Sequence, residues 1–315
     1  MATALEFRRD RDPGAEALRI LRREAETALA HLDAFEQDPE VHVHEARRAF
    51  RRIRSLLRLL RHTNPYTYGI ENRFYQELNR SLSAARDRDA ALEIAGKLQK
   101  QLSGTSGQTG EPSFLIQRLV IEASRLRAPV DPDELQHNVY TATQRLETAL
   151  RRYRSLDFSA LTRKKLRKAI RLTMRHVRQN YRRAAVTDLE EDFHELRKHA
   201  RYALSQLIMC ERIEPTSTPE LQAGLTKLTK VLGTHQDLCV ISELLPEPRG
   251  GLQLDDALQE LHGLIETSKR DLRRKALVQA RAMLAGIDDG PSRRKRKGKD
   301  KGAKEQGARV ALSNR

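Results

Sequence analysis

An all-helical protein built from two related halves is what this sequence predicts, and three observations carry that expectation. Glycine is sparse and no long stretch alternates apolar with β-branched residues, which leaves strands little support. Apolar residues recur at helical spacing between breaks such as Asp12-Pro13, Asp38-Pro39 and Asn64-Pro65. A basic motif occurs twice, as His44-Glu45-Ala46-Arg47-Arg48 and as His194-Glu195-Leu196-Arg197-Lys198. The echo continues at the same offset of 150: Arg51 with Arg201, Leu82 with Leu232, Asp87 with Asp237. Self-similarity at a fixed offset marks the doubling of one helical unit.

The elements follow from the punctuation. Asp12-Pro13-Gly14 opens a helix running to about residue 36, and Asp38-Pro39-Glu40 separates it from a second, over about 40–62. A third is expected from near Gly69 to Leu102, with a kink around 84–88. The segment SGTSGQTGEP, residues 103–112, has the composition of a loop, and a short helix over 113–127 stops before Pro129. Asp131-Pro132-Asp133-Glu134 starts the next helix, with Pro132 suited to a first turn. Helices are then expected at 133–155, 160–185, 188–213, 219–234, 236–245 and 253–286. The implied organisation is a flexible N-terminus over 1–11, two helical repeats at 12–128 and 131–286, and a disordered basic tail over 287–315.

Charge narrows the function. The chain of 315 residues carries a net charge of +16, and mean hydropathy is −0.68. From Pro291 onward there are ten Lys/Arg and two Asp/Glu, so half of the excess, +8, belongs to residues 1–290. Basic side chains held on a folded surface imply an anionic partner. No apolar run is long enough to span a bilayer, and residues 5–12, LEFRRDRD, do not make a signal peptide, so a cytoplasmic location is expected. Two cysteines, Cys210 and Cys239, argue against a disulfide scaffold and suit small core residues.

The helix beginning near residue 40 divides its faces sharply. At about 100° per residue, His44, Arg47, Arg51, Arg54, Arg58 and Arg61 share an arc of about 100°, opposite Ala49, Phe50, Ile53, Leu56, Leu57 and Leu60. Seven arginines and one acid, Glu45, lie between residues 44 and 61. A solvated helix face mixes signs, because i,i+4 pairs of opposite charge stabilise it and like charges repel. From Arg163 to Arg183 there are ten Lys/Arg and no acid, with Arg167, Arg171, Arg175, Arg178 and Arg182 in a ladder of one rung per turn. Guanidinium forks match phosphate oxygens, so phosphate chemistry fits such a ladder. The second His motif places His194, Arg197, Lys198 and Arg201 on one face, but Leu204 and Ile208 replace the later arginines. The strongest cationic surface is therefore expected where the His44 helix and the Arg167 helix meet across a groove between the halves.

His44 and His194 read equally as packed histidines or as ligand contacts strengthened by protonation. Metal ligation is disfavoured, since His42 and His44, and His194 and His199, have spacings that do not stack imidazoles on one face. Asp87 and Asp237 suit structural roles, starting or re-aiming a helix or orienting a basic partner.

These segments (VHVHEARRAFRRIRSLLRLLRH, DFHELRKHARYAL, LSAARDRDAAL and LGTHQDLCVI) together resemble the CHAD family, the conserved histidine α-helical domain, over about residues 12–286. The resemblance implies two four-helix bundles related by pseudo-twofold symmetry. It implies a basic groove between them that binds inorganic polyphosphate, and some relatives associate with polyphosphate granules. It assigns ligand contacts to His44, Arg47, Arg48, Arg51, Arg54, Arg58, Arg171, Arg175, Arg178, His194, Arg197, Lys198 and Arg201, with Asp87 and Asp237 orienting and no cofactor or metal. Many relatives are fused to a triphosphate-tunnel barrel with a Glu-x-Glu-x-Lys motif, which is not found here, so a stand-alone module is expected. The competing reading is a protein that binds DNA or RNA non-specifically through its basic faces and tail, although it lacks a helix-turn-helix, zinc-finger or RNA-recognition signature and has few aromatics for stacking. An enzyme of phosphoryl transfer wants clustered carboxylates or a Gly-x4-Gly-Lys-Ser/Thr loop, and neither is present.

Overall fold

Helix-starting residues set the frame in the computed structural model, which describes residues 5–82, 132–214, 217–245 and 253–285. Eight α-helices and no strand occur among the described residues. They are α1 (Pro13–Asp33), α2 (Pro39–Leu60), α3 (Pro65–Ser81), α4 (Pro132–Arg152), α5 (Arg163–Thr187), α6 (Glu190–Met209), α7 (Pro219–Leu244) and α8 (Gln253–Ala285). Asp12 Oδ1 accepts from the Ala15 N–H at 2.8 Å, Asp38 Oδ1 from Val41 at 3.1 Å, and Thr218 Oγ1 from Leu221 at 3.2 Å. Each cap satisfies a backbone donor that the first turn leaves open, and the proline that follows each has no N–H to satisfy. Asp188 closes α5 with φ 51°, a left-handed residue that turns the chain straight into α6.

Two groups of helices form. In the first, α2 packs on α1 and α3, and α4 packs on α1. α4 also reaches α3: Arg152 forks onto Glu71 at 2.8 and 2.9 Å, and Arg145 meets Glu77 at 2.9 Å. At the centre the Tyr75 and Tyr153 hydroxyls lie 2.7 Å apart, and the Tyr153 O–H reaches Glu71 Oε2 at 3.0 Å. In the second group α5, α6, α7 and α8 close a ring, α8 returning to α5. The sequence boundary near 128–131 puts α4 with the second repeat, whereas its contacts join it to α1 and α3. The groups are tied together by α2, which touches both α5 and α6, and the Gln206 side chain donates to the Ser55 carbonyl at 3.0 Å.

Two other expectations meet a different arrangement. Residues 219–234 and 236–245 form one helix, α7, because Gly233 lies on an open stretch of it and an interior glycine weakens a helix by only about 1 kcal/mol. The segment before α1, expected to be flexible, is seated from residue 5 onward. Phe7 is 1% exposed, its N–H donates to the Met209 carbonyl at 2.8 Å, and Glu6 pairs with Arg212 at 2.6 Å. This strap runs from the end of α6 to the start of α1 and so joins the two groups. Gly14 is needed where α1 begins: a Cβ there would stand 2.3 Å from the Phe158 carbonyl oxygen. The third helix beyond Ser81, the loop and short helix expected up to 127, Asp87 and the basic tail lie outside the described residues. No described helix is long and apolar enough to cross a membrane.

Candidate basic cleft between the two helical groups

The amphipathic split of α2 is realised in its packing. Ala46, Ala49, Phe50, Ile53, Leu56, Leu57 and Leu60 are fully buried, while His44, Arg47, Arg51, Arg54 and Arg58 are half-buried along the other side. Arg47 aims Nε and Nη1 at Asn79 Oδ1 (3.5 Å) and the Leu82 carbonyl (3.4 Å), and Arg54 Nε reaches Asn72 Oδ1 at 3.2 Å. Asn72 and Asn79 are both on α3, so neutral amides brace these guanidinium groups. Arg58 lies flat over the Tyr202 ring of α6, 3.9 Å from its centroid. Arg48 stands apart from this arrangement, exposed and paired with Glu45 at 2.8 Å.

On α6, His194 is exposed and its Nδ1 sits 2.7 Å from Gln236 Oε1 of α7. Lys198 is paired with Glu195. Arg197 is half-buried; burial and then the Arg201 charge weaken its ionisation, against the opposing pull of Asp237. Asp237 sits inside α7, where no helix starts, and its charge acts on Arg197.

The arginine ladder of α5 is placed differently from the sequence expectation. α2 and α5 do touch, but α5 turns Ala169, Leu172, Thr173 and His176 toward the cleft. Arg171, Arg175 and Arg178 lie about 140° round the helix from that face. Arg171 and Arg175 are exposed, Arg178 is half-buried, and Arg167 is engaged with Glu214 at 3.5 Å.

The α2, α5 and α6 junction encloses a cleft of about 30 Å³ lined by Arg58, Arg61, His62, Thr173, His176, His199 and Tyr202 among others. The imidazoles of His176 and His199 stand edge to face, 5.3 Å apart. Burial, then Arg58 and His176, hold His199 at about 4; burial, then Arg61 and Arg58, lower His176. Sequence reading missed this cluster. His199 and Tyr202 share one flank of α6 at i,i+3 spacing, but only the crossing with α2 and α5 shows what that flank meets. Among the described residues no group of three or more His, Cys, Asp or Glu side chains is placed to hold a metal ion. Cys210 and Cys239 are free and buried.

The arginines therefore fall into two classes. Arg52, Arg152, Arg183 and Arg212 each hold a buried or nearly buried carboxylate, on Glu24, Glu71, Asp192 and Glu6. Arg54, Arg58, Arg171, Arg175, Arg197 and Arg201 form no ion pair with a described carboxylate.

With this geometry in place, comparison with known proteins adds the following. The CHAD domain family model matches residues 19–246. The crystal structure of the CHAD domain from the plant Ricinus communis superposes with a TM-score of 0.64 at 22% identity, covering 91% of this chain and 96% of that one. PptA from Streptomyces chartreusis gives 0.62 at 18% identity, covering 86% of this chain and 99% of that one. No curated protein matches the chain. At such identities the two structures speak for the fold.

Proposed function

The chain belongs to the CHAD family, and we propose that it binds inorganic polyphosphate along the basic faces of α2 and α6, where its two helical groups meet. One observation carries the reading: Arg54 and Arg58 of α2 rest on an amide and an aromatic ring and pair with no described carboxylate, while Arg52, Arg152 and Arg183 each hold one. Guanidinium groups fixed without an internal counter-charge favour an external polyanion. Polyphosphate has no bases, which agrees with a chain lacking tryptophan and only 4% aromatic. Arg47, Arg51, Arg54, Arg58, Arg197 and Arg201 supply the main contacts, His44 and His194 flank them, and Arg171, Arg175 and Arg178 extend the field on α5. Arg48 and Lys198, each with a glutamate three residues away, contribute less. The role is binding without chemistry, and its proposed place is the cytoplasm, at polyphosphate granules.

The test compares two triple variants of the full chain that lose the same charge. One is R54Q/R58Q/R201Q; the other is R151Q/R154Q/R274Q, exposed arginines away from the cleft. Long-chain polyphosphate is titrated over a range of salt. For a single-stranded polyanion each lost contact reduces the slope of log K against log salt by about 0.7, so the first variant should lose about 2 from the slope and the second much less. Equal losses would mean that net charge, and not this surface, binds the ligand.

A further inference from the structure

We infer that the cleft at the α2, α5 and α6 junction receives a phosphate group of the bound chain, and that His176 and His199 take up protons as it arrives. The inference rests on the polyphosphate reading and deepens it, because it makes binding at this site responsive to pH.

The cleft has the chemistry for one phosphate unit. Its volume of about 30 Å³ admits phosphate oxygens in place of one or two waters. Arg58 and Arg61 enter from α2 without an ion pair to any described carboxylate, and the Arg58 Nε is buried with no hydrogen-bond partner. The charged and polar groups that act on the two rings come from three helices: Arg58, Arg61 and His62 from α2 and its C-terminal end, Arg175 from the outer face of α5, and Glu195, Lys198 and Tyr202 from α6. Glu195 is the one acid among them; it is engaged by Lys198 and stands 3.9 Å from the His199 Nε2.

The physical argument is a reversal of field. In the free protein burial disfavours a proton on both rings; Arg61 and Arg58 add to this at His176, and Arg58 and the His176 ring at His199, where Glu195 opposes them. A phosphate oxyanion seated among Arg58, His176 and His199 supplies the missing negative charge. Each ring then gains a charge-assisted hydrogen bond by becoming an imidazolium. Linkage makes the effect reciprocal: an anion that raises the affinity for protons is itself bound more tightly as protons become available. Interior phosphates of a long chain are strong acids and keep their charge across this range, so the titration belongs to the protein.

A lower bound on the effect follows from His199 alone. If the anion merely returns it from about 4 to the ordinary histidine value of about 6.5, affinity rises about fourfold between pH 8 and pH 6. Participation of His176 increases this.

The experiment is calorimetric titration of the full chain with long-chain polyphosphate at pH 6 and pH 8, at constant ionic strength. At pH 6 it is repeated in two buffers of different ionisation enthalpy, which gives the protons taken up on binding. The unaltered chain is expected to take up protons at pH 6 and to bind at least about fourfold more tightly than at pH 8. H176Q/H199Q should lose most of both effects; His44, His62 and His194 remain in it and report their own share. Circular dichroism checks that the variant folds, and H199Q alone gives an intermediate uptake if the double variant does not. No proton uptake by the unaltered chain, or equal uptake by the variants, overturns the inference while leaving polyphosphate binding standing. Absence of binding at both pH values overturns the functional reading and the inference with it.

Discussion

Replacing Glu16 by Gln isolates what the N-terminal strap contributes. Glu16 lies at the start of α1 with its side chain 4% exposed. Arg19 reaches it at 2.9 Å, and Arg8 reaches it with both its backbone N–H (3.0 Å) and its guanidinium (2.9 Å). Burial alone would raise the carboxyl pKa, but these hydrogen bonds and charges outweigh it and bring the group to about 2 from its usual 4.5. A depressed carboxylate stabilises the fold above its unfolded pKa, and the contribution fades as pH falls through the folded one. The full shift corresponds to about 3 kcal/mol at pH 7, and screening at half-exposed Arg8 and Arg19 reduces it to about 2. E16Q should therefore unfold in urea with about 2 kcal/mol less stability at pH 7, and the gap should narrow as pH falls from about 5 toward 2. The strap also seats Phe7 against the end of α6, so digestion within residues 5–12 of E16Q should become faster. A variant as stable as its parent, or a gap that is the same at pH 7 and pH 3, would refute the assignment of the strap to this carboxylate.

Gly14→Ala places a methyl group against the Phe158 carbonyl; a shift of backbone is unavoidable, and thermal melts should show a loss of about 2 kcal/mol or more. Tyr153→Phe removes a buried hydroxyl that bridges Tyr75 and Glu71, and urea unfolding should show about 1–3 kcal/mol lost, since two buried polar atoms are left short of a partner. Polyphosphate affinity should be unchanged in Tyr153→Phe, because this hydroxyl bonds Tyr75 and Glu71 and none of the basic residues of the α2 and α6 faces; a weakened slope in salt titrations would contradict that separation.

The helices were legible because their punctuation is local. Asp12, Asp38 and Thr218 cap through atoms three residues away, and the prolines after them act within one turn. The two arcs of α2 were legible for the same reason, as a 3.6-residue period needs no tertiary information. The strap was not. LEFRRDRD has the composition of a solvated end, and what seats it is Phe7 on Met209, Glu6 on Arg212 and Arg8 on Glu16, partners that lie outside the segment and mostly far along the chain. The continuity of α7 through 219–244 was not legible, and Gly233 within it costs too little to break the helix. The cleft depended on a crossing: His176 and His199 are 23 positions apart, and nothing local to either one points to the other. The ladder on α5 shows the opposite failure. Its periodicity was plain, but period alone does not say which neighbour a face meets, and here the alanine, threonine and histidine flank takes the contact with α2.

The excess of arginine over acid on α2 was the clearest sequence signal, and the structure gives it a physical meaning. Like charges one turn apart repel, so a fold that keeps them bears a cost unless something outside compensates. Inside this fold carboxylates are available: Glu24 and Glu71 are buried and each holds an arginine. Neither is turned toward Arg54 or Arg58, which rest on an asparagine and a tyrosine ring. An amide or an aromatic face holds a guanidinium in place without neutralising it, leaving most of its donors for another oxygen. Selection for stability alone would place acids at these positions, as it has around Arg52 and Arg152. The pattern instead fits a surface whose electrostatic cost in the free protein is relieved by a bound polyanion. The same logic extends to His176 and His199, where burial and then the Arg58 charge disfavour protonation of both imidazoles, and where the proposed anion would reverse that field.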